Sequence, residues 1–179
     1  MNRKRTSIFT RQLVITAMLI TMASILHVIE GALPPIPVTG AKLGLANIIT
    51  VVAMVMLGTR TAFVVAVGRT VLGSLFGTGI ISVGFAMSFS GAISSWLIMA
   101  VLYYVAKNAF SLVGLSLAGA AAHNLAQLYI ANIVLENIGV FGLLPLLMFF
   151  AVPTGIMVGT AAGFLIRALE KTPQFQRAG

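Results

Sequence analysis

The chain has 179 residues, 59% of them hydrophobic and 8% charged, with a formal net charge of +8 and a mean hydropathy of +1.08. A soluble domain carries about 25% charged residues, so the polar surface here is too small to cover a water-soluble globule. The absence of cysteine excludes a disulfide framework and thiolate chemistry. At roughly 20 apolar residues per crossing, the length fits about six spans in a single transmembrane domain, 1–179, with no separate soluble domain.

The first apolar stretch runs from Leu13 to Ile29 behind Arg3, Lys4, Arg5 and Arg11. It is longer than an ordinary signal-peptide core and lacks a convincing small-residue cleavage site, so it reads as a retained helix over about 12–30. The Gly31–Pro37 segment that follows holds three prolines and cannot be helical throughout. Turn and charge signals then predict helices over about 43–58, 61–77, 81–104, 112–135 and 143–168. Pro145 suits the first turn of the last helix, and Pro153 inside it predicts a kink. The predicted fold class is an all-α integral membrane protein, a six-transmembrane-helix bundle.

Basic residues set the orientation. With the amino terminus inside, Arg3, Lys4, Arg5, Arg11, Arg60, Lys107, Arg167, Lys171 and Arg177 are cytoplasmic. Lys42 alone is outside, and Arg69 lies within a span. This asymmetry follows the positive-inside rule and puts both termini in the cytoplasm. The same charge forms no continuous basic face, so no nucleic-acid role is expected. Stripes of small residues, Gly84/Ser88/Gly91/Ser95 and Gly155/Gly159/Gly163, predict close helix packing. No internal repeat supports the inverted architecture of many secondary transporters.

Arg69 sits near the middle of the apolar segment Ala62–Phe76. An ionisable group at membrane depth faces a protein interior or a wet cavity. Ala66, Arg69, Thr70, Gly73 and Gly77 share one side of the third helix. On the fifth, His123, Asn124 and Gln127 share a broad face at i, i+1 and i+4. Lys42 and Asn47 open the second helix, Glu30 closes the first and Glu136 closes the fifth. Polar residues on four helices thus lie toward one leaflet.

Each has a structural alternative. Arg69 can pair with a carboxylate or a helix end, and Lys42 can snorkel to headgroups. His123, Asn124 and Gln127 can bond between helices. Glu30 and Glu136 can be interfacial, and Trp96, Tyr103 and Tyr104 can belong to an aromatic belt. As a site, the set of Arg69, Asn47, His123, Asn124, Gln127, Lys42 and Glu30 favours a planar anion such as a carboxylate or phosphate, with an apolar or aromatic remainder.

Catalytic signals are poor. The only acids are Glu30, Glu136 and Glu170, with no aspartate, whereas a magnesium site needs carboxylates. His27 and His123 lack an evident third ligand, and no Walker loop is present. No catalytic residue, metal or cofactor is expected, and the chain is read as not an enzyme.

The strings Pro35–Asn47, Gly68–Gly77 and Gly119–Gln127 resemble the Gx transporter family, also labelled heptaprenyl diphosphate synthase component I. The resemblance covers nearly the whole chain, and the Lys-Leu-Gly-Leu-Ala-Asn and Ala-His-Asn-x-x-Gln strings are its most specific parts. It implies kinship with the substrate-binding S components of energy-coupling factor (ECF) transporters. These are six-helix, multi-pass proteins of the bacterial plasma membrane that capture a vitamin-like molecule near the outer face. Their implied partners are a transmembrane coupling subunit and ATPase subunits. The Ala-x-x-x-Ala docking face of such proteins has its nearest counterpart here in Ala17 and Thr21, with Ser24 beyond. An isoprenoid- or quinone-related substrate is compatible. The alternatives are a non-catalytic membrane partner of isoprenoid or quinone synthesis, and a self-sufficient secondary transporter.

The charge asymmetry generates a direct test in this cysteine-free chain. Lys107→Cys is expected to be shielded from an impermeant thiol reagent in intact cells, and Gly139→Cys to react. The reverse pattern rejects the orientation.

Overall fold

The structure is a computed structural model that describes residues 3–32, 44–77, 79–106 and 109–172, with side chains from Thr10 onward. The proline-rich segment and Lys42 lie outside the described residues. Those residues form six α-helices in an all-α arrangement: α1 (Arg3–Ala32), α2 (Leu45–Leu57), α3 (Thr59–Phe76), α4 (Val83–Val105), α5 (Leu112–Leu135) and α6 (Leu144–Glu170). A 3₁₀ segment, Ile138–Leu143, leads into α6.

The boundaries have local causes. Helix α1 begins at Arg3 rather than near residue 12, because no breaker precedes its apolar stretch and Arg and Lys are good helix formers. Ser82 caps α4 by accepting from Phe85 N at 3.0 Å, and Ser111 caps α5 by accepting from Gly114 N at 3.1 Å. Helices α2 and α3 meet at Gly58 alone, with φ 91° and ψ 165°, a conformation that glycine adopts at little steric cost. Helix α6 runs unbroken across Pro153, and Pro145 stands in its first turn as expected.

Three segments are long and apolar enough to cross a membrane: Thr10–Ala32, Val83–Val105 and Ile138–Glu170. Helix α2 is apolar but shorter. Helices α3 and α5 hold the Arg, His, Asn and Gln residues that dilute their apolar character. Burial is arranged to match. Leu13, Met18, Ile25, Val101, Phe149 and Phe164 point outward, while His27, Asn47, Arg69, Ser95, Asn124 and Gln127 are buried. A water-soluble bundle places such residues the other way round. This distribution gives the chain membrane-protein character.

Helix α2 is the packing centre. It touches α1, α3, α6 and α4, while α3–α4, α4–α5 and α5–α6 complete the enclosure. Ile49, Val51, Val52 and Met54 are fully buried on it. The α5–α6 contact depends on the expected small residues. A Cβ on Gly155 would lie 2.8 Å from the Leu117 Cα, and one on Gly159 would lie 2.5 Å from the Val113 Cα. Both contacts are with backbone, which cannot yield as a side chain can. At Gly163 the nearest atom would be Leu112 Cδ1 at 3.5 Å, an ordinary contact.

At the opposite end from the 3₁₀ segment, the start of α3 is clasped to α4. Trp96 Nε1 donates to the Thr59 carbonyl at 2.9 Å, and the Thr59 and Tyr104 hydroxyls lie 2.8 Å apart. Phe63 packs on Trp96 with ring centroids 4.7 Å apart. These aromatic residues thus do structural work between helices.

Gly159→Ala is expected to lower stability by about 1–3 kcal/mol, the usual range for overpacking a tight contact. Gly163→Ala should be neutral or slightly stabilising. Thermal denaturation of the two variants in detergent checks the contrast; equal melting temperatures would reject the close-packing account.

Candidate functional site

Polar residues from several helices of the bundle interior meet at a cavity of about 30 Å³. Helix α1 contributes His27 and Glu30, the start of α2 contributes Gly44 and Asn47, and α3 contributes Arg69. Ser116, Ala120, His123 and Asn124 come from α5, and Thr154 and Val158 from α6. Helix α4 backs the site without lining it. Its Ser95 hydroxyl accepts from Asn47 Nδ2 at 3.3 Å, and its Gly91 makes room for the His123 ring.

The histidines are seated in glycine notches. A Cβ on Gly73 would lie 2.6 Å from His27 Cδ2, and one on Gly91 would lie 2.7 Å from His123 Cε1. Both are closer than real Cβ contacts approach, so each imidazole occupies space that a missing side chain leaves. The small face of α3 around Arg69 and the small stripe of α4 therefore serve the site as well as helix packing.

Glu30 organises the charge. Its carboxylate Oε1 accepts from the Gly44 backbone N–H, joining the end of α1 to the start of α2. Gly44 is the N-cap of α2, is left-handed at φ 75° and has no side chain to cap the helix. The Glu30 carboxylate accepts from the N-cap's own N–H, as the glutamate of a capping box does, but from another helix, and sits at the positive end of the α2 dipole. Glu30 is also the charge that acts electrostatically on Arg69. The purely interfacial reading of Glu30 does not hold: its side chain is buried. Burial of an arginine in an apolar bundle requires such a countercharge.

The remaining hydrogen-bonding capacity is unevenly filled. Arg69, Asn47 and Ser116 are 4%, 7% and 1% exposed. Arg69 Nε, Asn47 Oδ1 and Ser116 Oγ have no hydrogen-bond partner among the described residues. All three residues line the same cavity. Buried polar atoms are normally satisfied, so three open ones around one void describe a place where a polar guest fits. Chemically the set offers one N–H donor, one carbonyl acceptor and one hydroxyl able to serve as either.

Five of the seven residues expected at the site therefore line the cavity: Arg69, Asn47, His123, Asn124 and Glu30. Asn124 also braces it, donating Nδ2 to the Leu147 carbonyl of α6 at 2.9 Å. Gln127 is buried but lies off the cavity, and Lys42 lies outside the described residues. His27, Ser116 and Thr154 are additional lining residues. His27 was legible as the i−3 neighbour of Glu30 on the same helix face; Ser116 and Thr154 carry no signal in sequence. Glu136 is exposed, with φ 48° at the end of α5, and takes no part. Among the described residues no group of three His, Cys, Asp or Glu side chains is placed to hold a metal ion.

The docking residues expected on α1 divide. Ala17 and Thr21 are exposed, and Thr21 Oγ1 donates back to the Ala17 carbonyl at 3.0 Å. Ser24 is buried and bonds to the Ile20 carbonyl at 2.8 Å. Thr21 and Ser24 border an apolar groove of about 400 Å³ between α1 and α3, with Ile25, Val28, Leu72 and Phe76.

The Glu30–Arg69 relation is open to a double-mutant cycle. Arg69→Gln or Glu30→Gln alone leaves one buried charge uncompensated and is expected to cost about 3–5 kcal/mol. The double variant should recover most of that loss. Thermal unfolding of the four proteins measures the coupling, and additive losses would show that the two charges are independent.

Comparison with curated proteins and with solved structures finds no match for either. A family model described as heptaprenyl diphosphate synthase component I matches residues 19–165. That range takes in all of the cavity-lining residues. By this match, the chain belongs to the heptaprenyl diphosphate synthase component I family.

Proposed function

We propose that the protein is a non-enzymatic, small-molecule-binding membrane subunit, an S component of an ECF-type importer. The observation that carries this reading is the cavity itself. Inside an oily bundle, four helices bring buried polar residues to one void, and three of those residues keep open hydrogen-bonding atoms. Such groups are costly in a membrane interior. The non-enzymatic part of the reading is supported by the scarcity of acids: Glu30 alone among the three lines the cavity, and it accepts from the Gly44 N–H. In this reading all six helices cross the bilayer of the cell membrane, with both termini cytoplasmic. Helices α2, α3 and α5 tolerate their length or polarity because their polar faces are turned inward.

A solute held by this chain needs another source of energy for transport, because the sequence has no nucleotide-binding loop. A coupling membrane subunit with ATPase subunits fills that need. The exposed Ala17–Thr21 face of α1 and the groove beside it provide the corresponding contact surface.

A second reading is favoured by the family description, in which "component I" implies a partner component. The chain would then be the non-catalytic membrane partner of a heptaprenyl diphosphate synthase. Affinity purification from native membranes separates the two. Co-purifying ATPases and a coupling subunit are expected for the importer, and a prenyl synthase for the alternative. Recovery of the synthase without ATPases would reject the importer reading.

A further inference from the structure

We propose that Arg69, Asn47 and Ser116 form a receptor for a hydroxyl oxygen, filled by internal water in the free chain and by an alcohol group of the ligand when loaded. The inference rests on the reading of the cavity as a binding site and adds the chemistry of the group recognised there.

Three helices deliver three open atoms to one void. Helices α2 and α3 are joined at Gly58 alone and lie against each other, so residues equally far from that turn stand at one depth. Asn47 precedes Gly58 by eleven residues and Arg69 follows it by eleven. Ser116 reaches the same void from α5. Arg69 Nε, Asn47 Oδ1 and Ser116 Oγ are buried without a hydrogen-bond partner among the described residues. Thr50 and Ser74 also hold open hydroxyls, but neither lines the cavity. A buried polar atom left open is costly, and internal water satisfies such atoms where the site is polar and roomy. At about 10–15 Å³ per water, the void of about 30 Å³ admits two or three oxygens.

Hydrogen-bonding capacity selects the guest. Arg69 Nε–H needs an acceptor and Asn47 Oδ1 needs a donor, while Ser116 Oγ takes either role. Asn47 is held in place by its bond to Ser95 at 3.3 Å. A hydroxyl oxygen has one proton to give and two lone pairs. It can accept from Arg69 and from Ser116 and donate to Asn47, which uses its whole capacity. A carboxylate has no proton to give and sets acceptor against acceptor at Asn47. An ammonium group has no lone pair and sets donor against donor at Arg69. These mismatches are local to the open atoms and hold whatever else His27, Glu30 and His123 touch. The planar anion expected from Arg69 alone therefore lacks a counterpart at Asn47.

Methanol and acetonitrile are small, uncharged probes that differ in one respect: methanol donates and accepts, and acetonitrile only accepts. Nuclear Overhauser transfer from water to the Asn47 side-chain amide, measured on the isotope-labelled full chain in detergent, reads both halves of the proposal. Asn47 is 7% exposed, so bulk water does not account for a signal there. The wild type is expected to show the transfer. Methanol should reduce it saturably, at about fivefold lower concentration than acetonitrile, the effect of one hydrogen bond. Ser116→Ala, which removes one partner at little strain, should raise the methanol concentration required by a similar factor. Absence of the water signal overturns the proposal, as does acetonitrile acting as well as methanol. A water signal that neither probe reduces means structural water only and overturns it too. An unchanged methanol response in folded Ser116→Ala has the same result, and the wild-type measurements decide the matter if that variant does not fold. Each of these failures leaves the importer reading intact, which the identity of co-purified subunits tests separately.

Discussion

A charge buried in an apolar bundle must be answered from within the bundle, and Arg69 imposes that demand on every neighbouring helix. Glu30 on α1 is the carboxylate that lines the same cavity. The same carboxylate accepts from Gly44 N–H at the start of α2, so one side chain joins α1 to α2 beside the buried guanidinium. Much of the interior architecture can be understood as support for this arrangement.

The support is built largely from absent side chains. Gly73 admits His27 and Gly91 admits His123, while Gly155 and Gly159 let α6 approach the α5 backbone. In a membrane, helix association gains little from burying oil against oil, so close backbone approach and interhelical hydrogen bonds carry more of the packing. Asn47 to Ser95 and Asn124 to the Leu147 carbonyl are bonds of that kind. They also position the cavity walls. Packing and site are thus one network.

That unity bears on function. The family match covers residues 19–165, and its description names a synthase component. A diphosphate-handling enzyme requires carboxylates for magnesium, and this chain has three acids in all. Only Glu30 reaches the cavity, which it shares with the Arg69 side chain. The proposed binding role asks only that a polar group be held, which the open atoms of Arg69, Asn47 and Ser116 suit.

The sequence by itself determined the helical, membrane-protein character of the chain, because hydropathy and small-residue spacing are local properties of the helices. It also singled out Arg69, since a lone charge in an apolar run is visible without coordinates. Asn47, His123 and Asn124 were legible for the same reason. The helix start at Leu45 and the course of α6 across Pro153 were less so, because packing between helices bears on them. The tertiary structure alone decided which carboxylate shares a cavity with Arg69. Glu30 is 39 residues away in sequence, and its acidity is equally compatible with an interfacial position. Tertiary packing also brought in His27, Ser116 and Thr154 and left Gln127 off the cavity, because helix rotation is set by contacts such as His27 on Gly73. The sequence shows a cation and its polar neighbours; only packing shows that they share one cavity with the Glu30 carboxylate, because helix rotation and contact are not properties of any single segment.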